Sequence, residues 1–191
     1  FVANFSNLLS SLGINANLPF LEVALPVAIS FITFHALSYL IDVYRRELQP
    51  TKSLVDILLY ISFFPHLVAG PIVRAKDFLT QTARRSEPES IRLAFAVFLI
   101  LGGLFKKVIV ANYLSTDYVD AIFQNPTAYS SADLWFAMYG YALQIYCDFS
   151  AYTDIAIGVA NLLGYRFPQN FDQPYRATNI SEFWRRWHMT F

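Results

Sequence analysis

Residues 93–116 read LAFAVFLILGGLFKKVIVANYLST, a run whose only charges are Lys106 and Lys107. At about 1.5 Å of helix rise per residue, about 20 apolar residues cross the roughly 30 Å of hydrocarbon in a bilayer. This run is long enough to do so. Three further charge gaps surround it. Val23–Ile41 carries no charge and is closed by Tyr44, Arg45 and Arg46; Ile57–Val73 is uncharged and contains Pro65, Gly70 and Pro71; Leu134–Tyr165 is apolar apart from Asp148 and Asp154. Only helices and closed barrels satisfy their backbone polar groups in lipid, and runs of this length are helical. The expectation is an all-α fold, a polytopic membrane helix bundle.

Composition agrees. Of the 191 residues 55% are hydrophobic, 17% aromatic and 15% charged, where a soluble domain carries about 25% charge. So much apolar mass excludes intrinsic disorder. The 14 basic and 14 acidic residues cancel, so no net field recommends nucleic acid as a partner. Cys147 stands alone, which forbids an internal disulfide and a thiolate metal site. The chain starts inside an apolar stretch and stops within a helical pattern. Residues 1–191 therefore read as a fragment of a single membrane domain, with N-terminal and C-terminal parts missing.

Basic residues gather on the cytoplasmic side of membrane proteins. Residues 1–22 have none, whereas Arg45, Arg46 and Lys52 follow the first gap. Arg74, Lys76, Arg84, Arg85 and Arg92 follow the second, the loop from Asn112 to Asp133 has none, and Arg166, Arg176, Arg185 and Arg186 crowd the end. Val23–Tyr44 then runs inward, Leu93–Leu114 outward and Leu134–Leu163 inward. Ile57–Val73, basic on both flanks, is expected to enter and leave by one face as a re-entrant hairpin or half-helix. A short spanning helix is the alternative.

Ionisable groups at membrane depth cost at least about 2.5 kcal/mol each, so they mark candidate sites. Tyr141, Gln144, Asp148 and Tyr152 share one helix face by their spacing, and that face is expected to border a cavity. Cys147, Ser150, Asp154, Gly158 and Asn161 form a second stripe, whose small residues let a neighbouring helix come close. Both Asp residues could equally serve only to hold helices together. Lys106 and Lys107 point about 100° apart on a helix, so one of them should mark a helix end or a wet region. His35 and His66 read as packing histidines without metal-ligand spacing.

His188 differs. Asn179 can cap a helix whose third position is Glu182, with Ile180, Trp184, Trp187 and Phe191 as the apolar stripe, His188 at its edge, and Glu182 within reach of Arg185 and Arg186. Such a helix suits a membrane interface. It also suits a general base placed between an apolar tail and a polar head, since imidazole exchanges protons near neutral pH.

Several blocks, taken in order, resemble membrane-bound O-acyltransferases: Leu25-Pro26 through Arg45, Phe64-Pro65-His66 through Arg74, and Asp148-Phe149-Ser150 through Gly158. They continue from Asn170-Phe171 through Arg176 to Phe183-Trp184-Arg185-Arg186-Trp187-His188-Met189-Thr190. The last block is similar to the bacterial branch that acts on alginate and teichoic acid, the alginate type more so. The resemblance implies a helical membrane domain with a central tunnel, in the bacterial inner membrane, that moves an acyl group toward an exported polysaccharide. An acyl thioester, from coenzyme A or an acyl carrier, would be the cytoplasmic donor, with no bound cofactor and no metal. A periplasmic or extracellular protein would be the partner, beside membrane lipid. His188 falls on one of two histidines of the family; the second, usually regarded as the essential one, lies some tens of residues further on. The implied roles are catalysis for His188, and tunnel wall or support for Asp148, Tyr152, Asp154, Trp184, Trp187 and Arg185. A transporter or channel with an intramembrane carboxylate path, or a non-catalytic membrane subunit, are the competing readings.

Overall fold

The computed structural model describes Ser11, residues 28–83 and residues 92–191, and every regular element among them is helical. The residues 12–27, which hold the start of the first charge gap, and Arg84 and Arg85 lie outside the described residues. Helix α1 is Ile29–Tyr44, α2 is Leu54–Ser62 and α3 is Ala75–Ala83. A continuous helix, α4, runs Leu93–Gln124, and α5 runs Ser131–Leu162. The short α6, Ile180–Arg186, comes last.

Among the described residues α4 is the one helix long and apolar enough to cross a membrane, and Ile29–Tyr44 and Leu54–His66 are shorter apolar helices. Apolar side chains cover its exterior: Phe98, Leu101, Phe105 and Ile109 are exposed, as are Trp135, Phe136 and Tyr139 on α5. A contiguous exposed apolar surface of this kind fits lipid or partner helices better than water.

The loop expected to begin at Asn112 begins only after Gln124. Between Phe105 and Ala111, and again from Leu114 to Val119, the helix widens to π geometry and continues. Apolar Val119 and Ile122 remain buried through this region, and the Ser115 hydroxyl bonds the Asp120 carboxylate at 2.8 Å. The core requires the extra turns, and the local sequence contains no proline to stop them. Nor does α4 end at Lys106 or Lys107.

Helix α5 starts at a capping box in which Ser130 and Asp133 satisfy each other's backbone amides. It returns antiparallel to α4, and the two pack at glycine. A methyl on Gly158 would stand 2.8 Å from the Ala96 carbonyl oxygen, and one on Gly103 would stand 2.8 Å from that of Ala151. The small-residue stripe therefore does what its spacing suggested. The Asn161 amide oxygen also accepts from the Arg92 N–H at the start of α4.

Helices α1, α2 and α3 pack together beside this hairpin. Tyr60, Phe63, Val73, Ala75 and Phe78 join Ile157, Ala160 and Phe167 in one buried cluster. Helix α2 is nine residues long, stops where Phe63 turns extended, and passes through a 3₁₀ turn at Phe64–His66. A β-carbon on Gly70 would fall 2.5 Å from His66 Cα, so the chain can double back only with glycine there. The segment has the form of a half-helix and return loop. Tyr60 ties it off by donating to the Val73 carbonyl at 2.9 Å. His66 is buried, its Nε2 3.1 Å from the Tyr60 carbonyl oxygen, and it stacks on His35 with centroids 4.2 Å apart. Both are packing residues in this fold.

Candidate functional site

Helix α6 starts as its sequence suggests. The Asn179 side chain accepts from the Glu182 N–H, and the Glu182 carboxylate accepts from the Thr178 N–H at 2.8 Å and the Thr178 hydroxyl at 2.9 Å. These bonds and the Arg186 guanidinium, 2.7 Å away, hold the Glu182 carboxyl down at about 2. Arg186 takes the ion pair; Arg185 stays exposed at the edge of a cavity.

The helix ends earlier than the apolar stripe implied. Arg186 is its last residue, Trp187 is extended, and His188 has φ 49°, in the left-handed region. Tertiary hydrogen bonds displace the helical ones: Asp172 N–H donates to the Arg186 carbonyl at 3.0 Å, and Met189 N–H to the Asn170 carbonyl at 2.9 Å. A non-glycine residue there costs about 1–2 kcal/mol, so the surrounding structure must over-determine it. His188 is consequently off the helix, and its direction does not follow from a four-residue spacing to Trp184.

The His188 ring lies edge-on to Phe149 of α5 at 5.0 Å and stacks on Phe191 at 5.5 Å. Its Nε2 is buried and makes no hydrogen bond among the described residues. Trp187 packs against Phe171 at 5.1 Å and stacks on Phe183 at 5.6 Å, whereas Trp184 is exposed. A cavity of about 560 Å³ is lined by Trp184, Arg185, Trp187, His188, Met189 and Phe191. The structure thus brings together four of the residues singled out by sequence.

A second cleft, of about 440 Å³, is lined by Lys107, Asp148, Tyr152, Phe31, Ala69 and Ile155 and shares Phe149 with the His188 contact. Asp148 and Tyr152 border it, as their shared face suggested. Asp154 is elsewhere. It pairs with Lys106 at 2.6 Å, and the same ammonium donates to Ser150 at 3.0 Å. Lys107 pairs with Asp148. Sequence reasoning missed both pairings. The available signal was numerical: two lysines on one apolar helix and two aspartates on the next demand partners at membrane depth. Among the described residues no group of three or more His, Cys, Asp or Glu is placed to hold a metal.

Residues 20–191 match the family described as MBOAT, membrane-bound O-acyltransferase. The chain belongs to the membrane-bound O-acyltransferase family. Among its MBOAT relatives is a probable alginate O-acetylase AlgI of Pseudomonas aeruginosa, 39% identical over 193 residues that cover 99% of this chain and 36% of the relative. A peptidoglycan O-acetyltransferase of Helicobacter pylori is 35% identical, over 89% of this chain and 37% of that protein. A teichoic acid D-alanyltransferase of Bacillus subtilis is 31% identical, over 86% of this chain and 42% of that one. The chain spans about a third to two fifths of the length of the curated MBOAT relatives it matches.

Proposed function

We propose that this chain is the histidine-bearing part of an inner-membrane, multi-pass O-acyltransferase that transfers an acyl group, acetyl in the alginate-type relatives, to an exported polysaccharide. One observation carries the reading: His188, in the Trp-Arg-Arg-Trp-His block, lines a cavity in a strained backbone conformation, with Nε2 unpartnered among the described residues. Strained residues gather at working sites, and a neutral imidazole nitrogen without a partner can accept a proton.

In the proposed step an acceptor hydroxyl attacks the carbonyl of a thioester donor, held by coenzyme A or an acyl carrier. The C–O bond forms, the C–S bond breaks, His188 takes the hydroxyl proton, and the thiolate leaves toward the cytoplasm and is reprotonated. Trp187, with Trp184 at the cavity edge, excludes water that would hydrolyse the donor. Arg185 faces anionic groups of the donor or of inner-leaflet headgroups, and Asp148 and Tyr152 wall the neighbouring cleft. A second histidine further along the parent protein and an extracytoplasmic partner complete the assembly.

General acid–base catalysis is worth about 10²–10⁴-fold. In the intact parent protein His188→Ala should lower O-acyl ester on the exported polymer at least 100-fold at equal expression. Ester content within threefold of wild type would refute the catalytic role.

A further inference from the structure

We infer that Asn170 and Thr190 form a latch that positions the His188 imidazole, an inference that rests on the catalytic reading of His188. Asn170 is fully buried and precedes α6 in the chain. Its main-chain carbonyl accepts from Met189 N–H at 2.9 Å. Its Oδ1 accepts twice from Thr190, from the N–H at 3.3 Å and from the hydroxyl at 3.0 Å. Its Nδ2 donates to the buried Thr153 hydroxyl of α5 at 3.4 Å. The Thr190 hydroxyl oxygen in turn accepts from the Ile72 N–H of the return loop, at 2.9 Å.

The two residues after His188 are therefore tied at four points to elements distant in sequence. Among the described residues the ring makes no hydrogen bond at Nε2, and Phe149 and Phe191 flank it. Its aim is set by the backbone, and the left-handed backbone at His188 is set by what grips Met189 and Thr190. The residue type at 170 is constrained accordingly. Asparagine supplies the acceptor toward Thr190 and the donor toward Thr153 in one short side chain. Asn170 and Thr190 act through His188; they are positioning residues.

The test uses the full-length parent protein. Asn170→Ala empties a buried site and risks the fold, so Thr190→Val, which keeps the shape and deletes the hydroxyl, is the principal variant, and Thr190→Ser the rescue. Two readouts are taken on protein of equal expression: O-acyl ester on the exported polymer, and carbethoxylation of His188 by diethyl pyrocarbonate, followed by mass spectrometry. Thr190→Val should cut the ester at least tenfold and speed His188 modification at least threefold, while Thr190→Ser stays within threefold of wild type in both. Wild-type values for Thr190→Val in both readouts would overturn the latch, as would lost ester with unchanged His188 reactivity. Faster modification with normal ester would uphold the latch and overturn the catalytic role of His188, which His188→Ala tests separately.

Discussion

Gly102 and Gly103 are adjacent on α4, yet an added methyl would meet different surroundings. At Gly102 nothing stands within 4 Å; at Gly103 the new carbon would lie 2.6 Å from Ile155 Cγ1 and 2.8 Å from the Ala151 carbonyl oxygen. The isoleucine can rotate, but the carbonyl belongs to the backbone of α5 and cannot move unless the helices part. Replacing glycine by alanine inside a helix gains up to about 1 kcal/mol at either position. That gain cancels in the comparison and leaves the packing term, about 1–3 kcal/mol for overfilling a close-packed contact. At about 2.1 cal/mol/K of unfolding entropy per residue, a parent of roughly 500 residues moves its midpoint by about 1 °C per kcal/mol. Gly103→Ala in the detergent-purified parent should thus melt roughly 1–3 °C below Gly102→Ala, which should match or exceed wild type. Equal midpoints would show that α4 and α5 do not touch along this stripe, and would undo the alignment that brings Lys106 to Asp154.

That ion pair has its own test. Lys106→Met or Asp154→Leu alone should cost about 2–4 kcal/mol, below the fully buried case because 27% of each side chain stays exposed. The double variant should recover most of the loss in a thermal double-mutant cycle, and additive losses would count against the pairing. Glu182 gives a pH dependence. Its folded carboxyl sits at about 2, against about 4.3 in an unfolded chain, so its contribution is present above that value and fades as pH falls from about 4.5 toward 2. Fluorescence of Trp184 and Trp187 during acid titration should report this loss, and Glu182→Gln should flatten the curve over that interval.

What could be read from the chain, and what could not, divides by the range of the forces involved. The Asn179 cap and the Gly158 stripe are local or periodic, and both stand in the structure where the sequence put them. The pairing of Lys106 with Asp154 and Lys107 with Asp148 depends on how two helices align, which no single segment encodes. The end of α6 is harder still. No glycine or proline follows Arg186; the helix stops because Asn170 and Asp172, from a preceding segment, take over its backbone groups. The continuation of α4 past Asn112 was hidden for the opposite reason, since a polar stretch with Asp117, Asp120 and no basic residue reads as a loop until buried Val119 and Ile122 show which face the core needs.

The bond from Ile72 to Thr190 spans 118 positions in the chain. A ribosome adding about 5–20 residues per second needs roughly 6–24 s to make that stretch. Through that interval the return loop has already emerged, with a main-chain amide that awaits its acceptor. An unpaired amide is poorly tolerated in hydrocarbon, so the loop must wait in water or beside the insertion machinery until Thr190 arrives. The half-helix and the histidine segment are then completed together. A ribosome stalled before Thr190 should leave Ile72 open to amide exchange, and release of the longer chain should protect it.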